Sequence, residues 1–252
     1  IQAVLVDRKK LGACRHDAGS ADLFEYLKEA RDFVSEFPVP FITGGVLLPD
    51  AFIDPTPALD AGREKPLIAV ADNLCSLGAF EWNGNELSVV WRAAHDFKKH
   101  SSTAMLSNGL MVFGRKDGKV FAHDASTGVI MWEYDAGEPV LATPSASPGE
   151  HVYVVSKNHI QVVSTSDGTL VQDGAVPRKL KLLDQTHSSP AVTNNRVYVS
   201  TAEMLTVSHD LKRRGHDSNL RGNGLSSVAV GRRGDVYVVD IHGRIHKYGG
   251  TD

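Results

Sequence analysis

Four short tetrads recur along this 252-residue chain at near-even spacing, each followed by a β-rich run, a turn and a second β-rich run. They are His100-Ser101-Ser102-Thr103, Leu141-Ala142-Thr143-Pro144, His187-Ser188-Ser189-Pro190 and Leu225-Ser226-Ser227-Val228. A looser copy, Asp54-Pro55-Thr56-Pro57, precedes them. With Pro57, Thr103, Pro144, Pro190 and Val228 as equivalent positions, the steps are 46, 41, 46 and 38 residues. A strand-built repeat of that length is the mark of a β-propeller blade, a unit that buries its faces only against neighbouring copies.

The copy that opens at Thr103 reads most clearly. Residues 103–106 predict a short first strand, and Ser107-Asn108-Gly109 a turn. Residues 110–114 predict a second strand, closed by a tight hairpin at Lys116-Asp117-Gly118, because an Asp-Gly pair tolerates the positive φ such turns require. Residues 119–124 alternate as a half-buried third strand, and 129–134 form the fourth after Ser126-Thr127-Gly128. Later strands are expected at 151–155, 160–164, 169–172, 196–200, 205–209, 235–240 and 244–248, and earlier ones at 66–71, 77–82 and 86–91.

The last copy runs out at Tyr248 without a fourth strand. A strand from the other end of the chain, for which Gln2-Ala3-Val4-Leu5-Val6 is β-rich enough, would close the ring and remove an exposed edge. The expected fold is therefore all-β: a propeller of four-stranded antiparallel blades, six being the most economical number and five or seven also fitting. One domain over 1–252 is expected, with 1–50 as closing strand, helical insertion and irregular first blade. The blades then fall at 51–96, 97–137, 138–182, 183–221 and 222–252. The helical insertion is read from Leu23, Tyr26, Leu27, Ala30 and Val34, which share one helical face behind Ser20 as N-cap.

Two family likenesses meet in these repeats. Ser126-Thr127-Gly128-Val129-Ile130-Met131-Trp132, followed one blade later by Ser166-Asp167-Gly168-Thr169-Leu170, resembles the repeat of pyrroloquinoline-quinone-type (quinoprotein-like) propellers. His187-Ser188-Ser189-Pro190-Ala191-Val192, leading to Arg196-Val197-Tyr198-Val199, is similar to it too. Separately, Pro55-Thr56-Pro57-Ala58-Leu59-Asp60, leading to Lys65-Pro66-Leu67-Ile68-Ala69-Val70-Ala71-Asp72, looks like an FG-GAP repeat of integrin-type propellers. The quinone resemblance implies an adjacent cysteine pair, a tryptophan floor and a bound calcium, whereas Cys14 and Cys75 lie far apart. The FG-GAP resemblance implies calcium in the loop Asp60-Ala61-Gly62-Arg63-Glu64, which keeps one Asp and places Arg where oxygen ligands are needed. No cofactor is expected on these grounds, neither a quinone nor calcium. The resemblance also favours an extracytoplasmic location.

Composition bounds the partners. Net charge is −3, so no global case exists for nucleic acid or anionic lipid. No run of apolar residues is long enough to span a membrane. The start at Ile1 reads as a processed or truncated product, and Cys14 and Cys75 read as buried thiols or, in an oxidising compartment, a pair. The motifs of zinc proteases, of nucleophile-elbow hydrolases and of phosphate-binding loops are all missing from the sequence.

Three groups of residues remain as candidates. His100 and His187 each precede Ser-Ser, two blades apart in chain order, and could meet at a channel mouth as metal ligands or a general base. Strand-end capping is the plainer role for both. Lys212, Arg213, Arg214 and Arg221 make the most basic stretch and are the candidate binding surface: residues 205–247 hold eight Lys or Arg against four Asp. Trp91 and Trp132, with Gln172 in the next copy, occupy equivalent ends of fourth strands and are expected to dock blade on blade. The function expected from this reading is a non-catalytic propeller that binds another protein through loop faces and the channel mouth. A propeller enzyme using the two histidines, or a degenerate relative of quinone dehydrogenases, stands as the alternative.

Overall fold

The computed structural model describes residues 58–60, 62–71, 76–83, 87–94, 105–147, 150–194, 196–201, 204–212, 214–217, 227–231, 234–240 and 243–248. All lie in the compact unit spanning 45–252. The expected closing strand at 2–6 and the helix near 20–37 fall outside them, as do Cys14, Cys75, His100, Arg213 and Arg221. Among the described residues the fold is all-β with no helix.

Among the described residues five sheets of three or four strands follow one another along the chain, with a two-stranded ribbon beside the third. The first holds β1 (Ala58–Asp60), β2 (Leu67–Ala71), β3 (Ser76–Trp82) and β4 (Leu87–Ala94). The second holds β5 (Met105–Ser107), β6 (Leu110–Gly114), β7 (Lys119–Asp124) and β8 (Ile130–Asp135). Both are antiparallel meanders in chain order. The hairpins are where local chemistry places them: Asn108 and Gly109 take φ of 51° and 74°, the backbone of a type I′ turn. Gly118, at φ 92°, closes the next hairpin with its N–H on Arg115 O at 3.0 Å.

The third sheet departs from the meander. It contains β9 (Ser145–Ala146), β10 (His151–Val155), β11 (His159–Ser164) and, as outer strand, Lys179–Lys181 rather than the expected 169–172. Leu170 bridges Val163, and Val171 donates its N–H to Val162 O at 2.9 Å. The chain then leaves the ladder, forms the two-stranded ribbon β12 (Gln172–Asp173) and β13 (Val176–Pro177), and returns as β14 (Lys179–Lys181). The correction has a local cause: Gly174, at φ 65°, turns the chain back after Asp173. Arg178 then grips Asp173 with Nε at 2.9 Å and Nη2 at 2.7 Å.

The fourth sheet is β15 (Ala191–Val192), β16 (Arg196–Ser200), β17 (Met204–Ser208) and β18 (Arg214–Asp217). The described part of the fifth is β19 (Ala229–Val230), β20 (Val236–Val239) and β21 (Ile245–Tyr248).

Middle strands such as β6, β7, β10 and β11 are buried along nearly their whole length, so they face protein on both sides. The apolar clusters show what covers them. One joins sheets one and two through Leu67, Trp91, Met111 and Phe113. A second joins sheets two and three through Val112, Trp132, Val152 and Val163. A third joins sheets three and four, and a fourth joins sheets four and five. Successive sheets therefore stack face to face in chain order, as propeller blades do. Outer edges are broken by irregularity: β4 and β8 each carry a bulge just before the tryptophan, at Val90 and Met131. Bulges of this kind blunt an open edge against adhesion.

Candidate functional site

The tetrads that define the repeat turn out to connect the sheets. Thr143 N–H donates to Ser189 Oγ at 2.9 Å, and Ser189 N–H donates to Ser227 Oγ at 3.2 Å. Thr143, Ser189 and Ser227 are the third positions of three successive tetrads, so the same bond recurs from blade to blade. Ser145 Oγ adds a second link, donating to Pro190 O at 2.6 Å. Ser188 is fully buried, with its N–H on Thr186 Oγ1 at 2.9 Å, while Thr186 Oγ1 itself donates to Ser200 O at 2.6 Å. Small hydroxyl residues recur here because innermost strands lie close together, and their backbone N–H groups need acceptors from the next blade.

His187 stands at the exposed start of its tetrad, and His100 lies outside the described residues. No grouping of the two is on view. Among the described residues no set of three His, Cys, Asp or Glu side chains is placed to hold a metal ion.

Beside the tetrads, one carboxylate ties two blades. Glu138, in the link from sheet two to sheet three, accepts hydrogen bonds at Oε2 from Asn158 N (3.0 Å), Ser156 Oγ (3.1 Å) and His159 Nδ1 (3.1 Å). Partial burial pushes its pKa up, but the hydrogen bonds from His159, Asn158 and Ser156 outweigh it and hold the carboxyl at about 2. A depressed carboxylate stabilises the fold above its unfolded pKa, and that contribution is lost as pH falls through the folded value. We therefore expect wild-type stability to fall between about pH 4.5 and pH 2, and Glu138→Gln to flatten that limb when midpoints of urea unfolding are compared across the range.

The tryptophans act between sheets. Trp91 is 8% exposed, donates Nε1–H to Ala125 O at 2.9 Å and lies flat on His123 at 5.7 Å between ring centroids. A Cβ added at Gly128 would sit 2.6 Å from its Cδ2. Trp132 repeats this one blade on: 6% exposed, Nε1–H to Thr165 O at 2.8 Å, and 2.8 Å from a Cβ added at Gly168. The position equivalent to Trp132 in the third sheet is Val171, not Gln172. Val171 faces Val162 as Trp132 faces Ala122, and the bulge that advances the outer strand by one residue in sheet two is missing from sheet three.

The basic stretch is partly neutralised. Lys212 Nζ lies 2.8 Å from Asp173 Oδ2 and 3.8 Å from Asp210 Oδ2. Asp173 belongs to the preceding sheet, beyond the window in which the positive balance was counted, and Arg178 and Lys212 together hold its carboxyl down at about 2. Arg214 begins β18, and Arg213 and Arg221 fall outside the described residues. The clasp was hidden in the sequence because its two halves come from different blades. In the FG-GAP-like loop, Asp60 Oδ1 accepts Gly62 N–H at 3.1 Å, an ordinary turn bond.

Stacked four-stranded sheets, glycine turns under indoles and a hydroxyl relay along the inner strands define a β-propeller of the pyrroloquinoline-quinone-type repeat. The family model described as outer membrane protein assembly factor BamB matches residues 83–212, more than half of the sequence. The chain belongs to that family. Among solved structures it is similar in fold to BamB from Moraxella catarrhalis, with a TM-score of 0.56 at 16% identity over 79% of this chain and 62% of that one. It is similar also to the computationally designed Ika8 protein, with a TM-score of 0.57 at 12% identity over 75% of this chain and 57% of that one. The chain thus spans less than two thirds of the length of either structure. A comparison with curated proteins finds no match. No helix among the described residues is long and apolar enough to cross a membrane.

Proposed function

We propose that this chain is a non-catalytic propeller that binds another protein outside the cytoplasm, in the assembly of outer-membrane proteins. The observation that carries the reading is the family match over 83–212. The geometry supports it: the Ser189 and Ser227 hydroxyls of the inner tetrads accept bonds from the neighbouring sheets, and the rigid stack leaves its loops and outer edges to meet a partner. Depletion of the protein in its host is expected to lower the folded fraction of outer-membrane β-barrel proteins, read from their heat-modifiable mobility on gels. An unchanged folded fraction overturns the reading.

A further inference from the structure

We infer that the outer edge of the third sheet, from Val176 to Leu183, is a docking edge for an acidic, extended segment of a partner protein, joined by strand addition. The inference rests on the protein-binding reading above and adds the place and the chemistry of the partner.

From Lys179 to Leu183 the segment alternates, and Val176 and Pro177 before it are both exposed. Leu180 and Leu182 are buried in the cluster between sheets three and four, while Lys179, Lys181 and Leu183 are exposed. Leu183 at 75% and Val176 at 64% are among the most exposed large apolar side chains of the described residues, and they bracket the two lysines. Solvent exposure of two aliphatic side chains at the ends of one short edge is unfavourable unless something covers them.

The backbone is set for addition. β14 pairs with β11 on one side, and the ladder continues on both flanks: Val162 N–H donates to Arg178 O at 3.0 Å and Leu182 N–H to Asn158 O at 2.8 Å. Peptide groups alternate in direction along an antiparallel strand, so those of Lys179 and Lys181 turn away from β11 toward the open edge. Unlike β4 and β8, this edge has no bulge.

The charge selects the partner. The neighbouring cations are used within the fold, since Arg178 and Lys212 both sit on Asp173. Lys119, on the second sheet, sits on Glu133 and Asp135. Among the described residues Lys179 and Lys181 have no carboxylate within ion-pair distance, leaving two uncompensated positive charges beside open backbone groups. An incoming strand with Asp or Glu opposite them and apolar residues at its ends satisfies every exposed feature. The ribbon at 172–177 is clamped at its base by Asp173, so Val176 is held in place before a partner arrives.

The test uses the whole chain and a fluorescein-labelled decapeptide in which Glu alternates with Val. Fluorescence polarisation is expected to show saturable binding, weakened at least about tenfold in Lys179→Glu/Lys181→Glu. The matching Lys-Val peptide is expected to prefer that variant over wild type. Hydrogen exchange is expected to slow at the amides of Lys179 and Lys181 when the acidic peptide is bound. Both substitutions are at exposed positions, and an unchanged far-ultraviolet spectrum verifies that the variant folds. If the acidic peptide does not bind, or binds the double variant equally well, the lysines serve only to keep the edge from adhering and the inference is overturned. That result leaves the assembly function standing, because that function has its own readout, the folded fraction of outer-membrane β-barrels in the host.

Discussion

Trp132→Ala is expected to cost about 3–5 kcal/mol of stability, enough to unfold much of the population of a marginally stable domain. The indole is almost wholly buried between sheets two and three, and its removal leaves both a cavity and an unpaired Thr165 carbonyl. Gly168 is its steric counterpart. An alanine there has to adopt φ +70° and put a methyl 2.8 Å from the indole, so Gly168→Ala alone is expected to cost about 2 kcal/mol through strain and overpacking. In the double variant the overlap has no partner, and Gly168→Ala is expected to cost measurably less on the Trp132→Ala background than on wild type. Guanidinium unfolding midpoints for the four proteins decide it. A loss below about 1 kcal/mol for Trp132→Ala, or strict additivity of the two changes, would show that the indole does not seal this interface.

Much of the fold was legible because its signals are local. Asn108-Gly109 and Asp117-Gly118 demand particular turns, and the strands between them pair in the register those turns set, although Lys119–Asp124, expected to be half-buried, is covered on both faces by the neighbouring sheets. What escaped was lateral. The outer strand of the third sheet was placed at 169–172, although Asp173-Gly174 carries the same kind of turn signal as Asp117-Gly118 and marks the start of the ribbon. Lys212 was counted as part of a positive surface, because a charge balance summed along the chain cannot see an acid that the fold brings in from the preceding blade. The tetrads were recognised as a repeat, but their reason, an amide of one blade reaching a hydroxyl of the next, involves a backbone atom that no motif displays. The candidate pair His100 and His187 rested on two identical tripeptides. Of the Ser-Ser that follows His187, Ser189 is explained by contacts between sheets and Ser188 by a local bond from its N–H to Thr186 Oγ1, neither involving the imidazole.

The same lateral logic makes Tyr153 the counterpart of a tryptophan. Across sheets one and two, the row that carries the indole reads Ala69, Ala79, Trp91 and then Val112, Ala122, Trp132, small inside and large outside. In sheet three that row reads Tyr153, Val162, Val171, with the aromatic moved to the second strand. The turn itself differs too: Leu211, at φ 61° and buried, follows Ser208 by three residues and donates its N–H to Ser208 O, whereas Gly128 and Gly168 follow Asp124 and Ser164 by four. Tyr153 donates its phenol to His209 O at 3.2 Å, in the turn that follows β17, as the indoles donate to Ala125 and Thr165 in the turns after β3-type strands of their partner sheets. Tyr198 and Tyr237 hold the same strand position in sheets four and five, and Tyr198 is buried in the cluster between those two sheets, so Val-Tyr-Val at 152–154 and 197–199 is the later blades' version of the tryptophan rule. Burial pushes the Tyr153 phenol up to about 12, which keeps its donor proton in place throughout the neutral range. Tyr153→Ala is accordingly expected to cost about 3–5 kcal/mol, as much as Trp132→Ala, and Tyr153→Phe only about 1 kcal/mol for the lost hydrogen bond. Chemical unfolding of the two variants reads the difference. Equal losses would assign the whole effect to the hydroxyl, and a small loss in both would show that the third interface is held by its aliphatic residues alone.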